Sequence, residues 1–389
     1  MATLCLAMHS PSAFGQLNVP SDGSDGALNI TNDTVIDLSL ATTNHVWGDN
    51  NATNAGNGVY DPVKWAVVFK YSSINIAADA TVTFLNHPSH APVVWLVQSN
   101  ATINGSVSLD GGSFITTYPG YLLPTEPAPG GFRGGAYGQS GYGGGYGPGG
   151  GDNYDPNYGS SYGSGYGNPQ ILPLMGGSGA GAHPSTPYVG TYDGASGAGA
   201  ILVVVGGITT INGQITANGL GYNYNSYGIH ADLGGSGAIR LVATQIQGSG
   251  IIQAAVVRTE ASAVSDQLVI TPNTVAIPPG TTPIIWPATN SPTVTVVSVN
   301  QQSAPVDPLA AVATSSDVSI STNGAVSVVL QSQNFPPNGS VVLRVLPKYA
   351  DYYSVNATYV SGTFSNATWV ATTTLPQGFC VLQAHATSP

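Results

Sequence analysis

The chain has 389 residues and a formal net charge of −11; 42% of its residues are hydrophobic and only 6% are charged. Seven lysine and arginine residues cannot supply the basic surface that nucleic-acid binding requires. No apolar run reaches the roughly 18 residues of a membrane span. The length fits two domains, and short Val, Ile and Thr runs without helical periodicity predict an all-β protein.

The first segment, residues 1–15, is expected to be the end of a secretory signal, because a short apolar stretch precedes the small-x-small sequence Ala13-Phe14-Gly15. This predicts a secreted, extracellular or cell-surface protein. Cleavage there would remove Cys5 and leave Cys380 without a disulfide partner. Beyond it, Leu17 and Val19 alternate in a segment that either caps its own domain or pairs as a strand with a neighbouring subunit.

Two carboxylates follow in SDGSDG, at Asp22 and Asp25. The motif resembles part of a calcium loop, but it lacks the downstream acidic ligand of an EF-hand. Asp-Gly is common in plain turns. The interpretation favoured is a turn without a cofactor, and calcium binding at Asp22 and Asp25 is the alternative.

A repeat dominates the first part of the chain. TINGSVSLDG (102–111) and TINGQITANG (210–219) each follow an apolar strand, and related units lie at 26–41, 65–87 and 238–254. One such unit cannot bury its own apolar face, whereas stacked copies can. We therefore expect a parallel β-helix-like domain over residues 16–262. A β-sandwich of hairpins is the alternative, because Asn-Gly is also a strong hairpin signal.

A Gly/Tyr-rich insertion, residues 113–197, separates the two matched decapeptides. Its low-complexity tract, 129–168, lacks aliphatic residues, so we expect a loop that projects from the domain. Regular tyrosines on a Gly/Ser backbone are also typical of binding loops, with Trp47 and Trp95 as further aromatic platforms. The tyrosine candidates are Tyr137, Tyr142, Tyr146, Tyr154, Tyr158, Tyr162 and Tyr166.

The composition changes after residue 260. Residues 263–292 are proline-rich and predict a linker. Residues 293–389 contain seven strand-like runs separated by turn signals, which predict an Ig-like β-sandwich. The runs are 293–299, 317–322, 325–333, 340–346, 355–360, 367–373 and 379–385.

Catalytic and metal motifs are sparse. His230, Asp232 and Arg240 lie close together in sequence. The interpretation favoured is that His230 and Asp232 belong to a loop, and that Arg240 lies on a solvent-facing strand and pairs with Asp232. His87 and His90 offer too few ligands for a metal site, and Cys380 fits an apolar strand. We predict neither enzymatic activity nor a metal.

Asparagine sequons of the N-x-S/T type are glycosylation candidates if the host modifies asparagine. They lie at Asn29, Asn32, Asn51, Asn100, Asn104, Asn338, Asn356 and Asn366.

The segments GGSGAIRLVATQIQGSG and TINGQITANG resemble the Gly-rich repeats of bacterial secreted β-helix proteins, including adhesin and autotransporter passenger domains, over roughly residues 26–260. The leading hypothesis is a secreted structural protein that self-assembles as a matrix or filament subunit, with homo-oligomers as its partners. The alternative is a carbohydrate-binding or adhesion module with glycan partners. A polysaccharide-active enzyme is the third hypothesis.

Overall fold

A computed structural model describes most of the chain. The described residues are 16–112, 115–117, 121–123, 126–135, 137–138, 141–142, 145–147, 150, 163, 165, 170–185, 190–192, 194–219, 223–224, 229–230, 234–305, 316–321, 324–347 and 352–389.

The described residues are all-β, apart from two single-turn 3-10 helices, Leu38–Leu40 and Ala52–Asn54. Up to Gly112 the strands are β1 (Gly26–Ile30), β2 (Thr34–Asp37), β3 (Val59–Asp61), β4 (Ala66–Ile76), β5 (Thr81–Leu85), β6 (Val93–Val97), β7 (Ala101–Ile103) and β8 (Ser106–Ser108).

The next strands are short and lie within the predicted insertion: β9 (Ile115–Thr117), β10 (Tyr121–Leu123), β11 (Tyr137–Gly138), β12 (Gly141–Tyr142), β13 (His183–Ser185) and β14 (Gly190–Tyr192). The repeats then resume with β15 (Ala200–Val205), β16 (Ile208–Ile211), β17 (Gln214–Thr216), β18 (Asn223–Tyr224), β19 (Ile229–His230), β20 (Ala238–Val242), β21 (Gln245–Gln247), β22 (Ile251–Gln253), β23 (Val256–Glu260) and β24 (Val269–Thr271).

The repeat units stack as parallel layers, which we call the stack. One sheet has the order β21-β16-β7-β4-β6-β15-β20-β23, with β1 and β3 both paired to β4. A second, six-stranded sheet has the order β2-β5-β8-β17-β22-β24. Except for β3, these strands pair in parallel. The predicted all-β fold is confirmed and its sheets here are parallel, and each of the five repeat units contributes strands to these two sheets.

The matched decapeptides are adjacent layers. Ile211 pairs with Ile103 and Ile215 with Val107. The Nδ2 of Asn212 donates to the Oδ1 of Asn104 at 2.8 Å, across 108 residues of sequence. Asn104-Gly105 joins β7 to β8, which pair with neighbouring layers and not with each other. The hairpin alternative is therefore wrong at this Asn-Gly.

The core lies inside the layers. Alternate residues of the strands, such as Val203, Ile211 and Ile252, share one buried apolar cluster with Phe69 and Trp95. The other face of the first sheet is also apolar, and Leu17, Ile171, Leu174 and Ile285 cover it from distant parts of the chain. The predicted linker, residues 263–292, is therefore in contact with the stack. It contains strand β24, which pairs with β22, and its Ile285 packs against the first sheet.

The insertion is not a projecting loop where it is described. Residues 128–135, 145–147, 176–182 and 194–199, together with 234–237, are mostly buried and hydrogen-bonded side by side through their backbones; we call them the glycine bundle. Phe132 N donates to Gly177 O at 3.0 Å, Gly177 N to Ala198 O at 2.8 Å, and Ala198 N to Gly235 O at 3.0 Å. Without Cβ atoms the backbones approach closely, and their paired N–H and C=O groups stabilise the bundle in place of buried aliphatic side chains.

The C-terminal module, residues 293–389, has two antiparallel sheets. Their orders are β26-β25-β27-β31-β30 and β29-β28-β32, and both contribute to one core around Leu330, Leu343 and Trp369. The strands are β25 (Thr293–Val299), β26 (Gln302–Ser303), β27 (Val326–Gln333), β28 (Ser340–Pro347), β29 (Tyr353–Asn356), β30 (Thr358–Thr363), β31 (Asn366–Thr373) and β32 (Cys380–Thr387).

Two predicted runs of this module differ from the structure. In 317–322, the described residues form no strand, although Val318 and Ile320 pack against the core. The run 355–360 divides between β29 and β30, which belong to different sheets. The chain passes from one sheet to the other at Ala357, a break that a continuous strand pattern does not reveal.

Candidate assembly and binding surfaces

The N-terminal segment lies on its own stack. Leu17 is buried in the apolar cover of the first sheet, and its N–H donates to Gly206 O at 2.9 Å. Asn18 N donates to Thr281 O at 2.8 Å, and Val19 packs at the margin of the same cover. The strand candidates Leu17 and Val19 therefore contact their own chain in this structure.

Asp22 and Asp25 serve a hydrogen-bond network. Asp25 is buried and accepts four N–H groups: Asn51 Nδ2 at 2.7 Å, Lys70 N at 2.7 Å, Gly56 N at 3.0 Å and Gly58 N at 3.2 Å. The ammonium of the buried Lys70 lies 3.7 Å from Asp22 Oδ2. With donors at both Asp25 oxygens and a cation already present, these residues do not fit a calcium ligand set.

The cluster predicted around Arg240 is arranged differently. The backbone of His230 belongs to β19, and Asp232 lies outside the described residues. Arg240 is not on a solvent-facing surface: it is 2% exposed and pairs through Nη2 with Glu260 Oε1 at 2.8 Å. Glu260 also accepts from Arg258 Nε at 2.6 Å. The outer face of the first sheet is covered, so Arg240 is buried and requires a carboxylate partner.

His87 and His90 lie in a buried loop that supports the glycine bundle. His87 stacks on Tyr60 with ring centroids 4.0 Å apart, and His90 O accepts from Gly130 N at 2.6 Å. His90 adopts a left-handed φ of 52°, which is strained for a non-glycine residue. Within the described residues, no group of three or more His, Cys, Asp or Glu side chains is placed to hold a metal.

Acidification should destabilise the protein through His90. Burial lowers the pKa of His90 to about 4, and the charges of Arg133 and His87 act in the same direction. Glu126, 3.4 Å from Nε2, opposes this shift, but it is 65% exposed and screened by water. The unfolded chain therefore binds more protons than the folded one between pH 6.5 and about 4, and the free energy of unfolding falls across that window by about 2–3 kcal/mol.

His90→Asn tests this, since asparagine tolerates positive φ. The variant should lose less stability than wild type between pH 6.5 and 4 in urea titrations, and the exposed His45→Asn is the control. Identical pH profiles for wild type and His90→Asn would contradict the assignment.

The aromatic candidates whose side chains the structure describes are buried or half-buried. Trp95 is 0% exposed, so its predicted role as a binding platform is wrong. Tyr146 is buried and packs with Phe132 against Leu346 and Val381 of the C-terminal module. Trp47 is half-buried, with its ring 5.5 Å from that of Trp286. The side chains of Tyr137 and Tyr142 are not described, and Tyr154, Tyr158, Tyr162 and Tyr166 lie outside the described residues.

The sequons differ in accessibility. Asn51 is buried and its Nδ2 donates to Asp25 Oδ1, so the folded protein cannot carry a glycan there. Asn104 is half-buried and bonded to Asn212. The exposed sequons are Asn29, Asn32, Asn100, Asn338, Asn356 and Asn366. Burial also raises the pKa of the free thiol of Cys380, which disfavours a nucleophilic role.

Sequence reasoning missed a sheet face that carries few charges and has open ends. In the six-stranded sheet, Asp37 is the only ionisable strand residue. Ser106, Gln214, Ile251 and Val269 form one outward row. Within the described chain, β2 pairs with β5 alone and β24 with β22 alone, so one edge of each terminal strand is unpaired.

Comparisons with protein-family models, curated proteins and solved structures give no match. Among the described residues, no helix has the length and hydropathy needed to cross a bilayer.

Proposed function

We propose that the stack is a parallel β-helix, that the C-terminal module is an Ig-like sandwich, and that the protein is a secreted structural subunit that assembles head to tail outside the cell. The observation that supports this most directly is the six-stranded parallel sheet, whose terminal strands, β2 and β24, each have one edge without a partner strand among the described residues. A parallel ladder continues when the last strand of one copy pairs with the first strand of the next. Such a contact is heterologous and propagates into filaments.

Both terminal strands expose apolar side chains. Val35, on β2, is 63% exposed, and Val269, on β24, is 55% exposed. Val35 pairs with Thr83 of the next layer, and Thr271 lies in the outward row formed with Gln253. Continuation of the register would place Thr271 of one copy beside Val35 of the next, about 4.8 Å away.

Paired charges at these two positions test the junction. Val35→Lys/Thr271→Lys places like charges across every junction and should leave single particles, whereas Val35→Glu/Thr271→Lys places opposite charges there and should preserve filaments. Electron microscopy of the secreted protein is the measurement. Single particles of wild type at every concentration, or filaments of the double-lysine variant, would contradict head-to-tail assembly.

A second function, binding of a neutral polysaccharide, is supported by the hydroxyl and amide groups on the same sheet. Ser106, Ser108, Gln214 and Gln253 belong to rows that contain no ionisable strand residue, and the carboxylate beside them, Asp110, accepts a hydrogen bond from Thr216 Oγ1 at 3.0 Å. Their hydroxyl and amide groups suit an uncharged chain lying across the strands. Sedimentation with insoluble neutral glucans tests this: Ser106→Glu/Gln214→Glu should reduce binding. Equal binding by this variant, or no binding by wild type, would contradict it.

A further inference from the structure

Strand β30 has one edge that no other strand of the described residues pairs with. It is the last strand of the five-stranded sheet, and all six of its residues are exposed. Val360 is 57% exposed, and Phe364, directly after the strand, is 55% exposed. An exposed edge with apolar side chains is a template for pairing with another strand unless charges, proline or a cover prevent it.

Such protection is nearly absent here. Residues 352–389 contain no Lys, Arg, Asp or Glu, and β30 contains no proline. A single bulge between Tyr359 and Ser361 interrupts the pairing with β31. Residues 352–389 therefore contribute no lysine, arginine, aspartate or glutamate side chain that could repel a second strand at β30.

Contacts within the C-terminal module already fix the conformation of β30. Tyr359 packs edge-on against Trp369 with ring centroids 5.4 Å apart, and its hydroxyl donates to Gly362 O at 2.8 Å. Its ladder with β31 runs from Thr358 to Thr363. A preformed edge loses little conformational entropy on pairing, which favours association.

We propose that β30 pairs antiparallel with β30 of a second copy of this chain, with the two-fold axis at Val360 and Ser361. An identical strand is the partner that this edge fits best, because both strands are uncharged and the symmetric pairing buries two copies of Val360 together. The interface is isologous and closes as a dimer. It uses a different surface from the open ends of the stack, so it would link copies sideways and not end to end.

Cysteine cross-linking tests this pairing in full-length protein whose native Cys5 and Cys380 are replaced by serine. Val360→Cys and Ser361→Cys, made singly, should each give a covalent dimer on mild oxidation, because symmetric positions meet at the axis. Ser354→Cys is the matched control: it is exposed on β29, the edge of the other sheet, and should stay monomeric. Val360→Lys, in the same protein without the new cysteine, should lower the dimer fraction in sedimentation by at least fivefold.

The Val35→Lys/Thr271→Lys background separates this dimer from head-to-tail assembly. Cross-linking at 360 or 361 should persist there even though filaments do not form. The proposal is overturned if both cysteines cross-link no more than Ser354→Cys, or if Val360→Lys leaves the dimer fraction unchanged.

Discussion

Gly177→Ala is expected to reduce the free energy of unfolding by about 3–5 kcal/mol, because an added Cβ has no space in the glycine bundle. A Cβ on Gly177 would overlap the backbone carbonyl of Gly235, and a rigid backbone cannot move aside as a flexible side chain can. The segments would separate, and the hydrogen bonds from Phe132 N and Gly177 N would be lost. Urea unfolding and limited proteolysis between residues 129 and 199 measure the effect.

Gly48→Ala is the matched control for this substitution. A Cβ at Gly48 meets nothing within 4 Å, so its stability and proteolysis pattern should equal those of wild type. If Gly177→Ala unfolds at the same urea concentration as Gly48→Ala, the segments of the glycine bundle are not closely packed.

Glu260→Ala is expected to cost about 3–5 kcal/mol, since it leaves Arg240 charged and buried without a carboxylate. Burial already lowers the pKa of Arg240, and its contact with Glu260 opposes that shift. Arg258 also contacts Glu260. Without the carboxylate between them, the positive charges of Arg258 and Arg240 would repel each other. Urea unfolding at neutral pH is the measurement.

Two variants give the control and the rescue. Glu126→Ala removes the exposed carboxylate beside His90 and should cost about 1 kcal/mol or less, as surface pairs do. Arg240→Leu/Glu260→Leu removes both buried charges and should recover at least half of the loss from Glu260→Ala. Equal effects of Glu260→Ala and Glu126→Ala would show that Glu260 is not buried with Arg240.

The layers of the stack were predictable because their signal is carried by side chains. Alternation such as Ile103 and Val107 marks the buried row, and Asn-Gly marks the corner, so the matched decapeptides align on their residues alone. Their adjacency in space follows from the apolar surface that each leaves uncovered.

The glycine bundle was not predictable by the same reasoning. Its stability comes from backbone hydrogen bonds between segments such as 128–135 and 176–182, and backbone groups leave no pattern in the side chains. A tract without aliphatic residues therefore suggested a projecting loop, although much of its described part is buried.

The burial of Arg240 and of Lys70 also could not be predicted from the sequence. Both lie on the outer face of the first sheet, and the segments that cover this face come from residues far along the chain, including Leu17 and Ile285. Alternation within one strand indicates two faces, but it does not indicate which distant segment will cover the second. The open edges of β2, β24 and β30 likewise depend on sheet order.

The most direct test of the central claim, that residues 102–111 and 210–219 are adjacent layers, is disulfide formation between Asn104→Cys and Asn212→Cys. The Asn104 and Asn212 side chains are hydrogen-bonded, and strand spacing falls within the Cα separation that disulfides allow. With Cys5 and Cys380 replaced by serine, we expect a fast intramolecular disulfide at 104/212 and none for the control pair Asn29→Cys/Asn104→Cys, which lies in non-adjacent layers. No cross-link at 104/212, or equal cross-linking of both pairs, would contradict it.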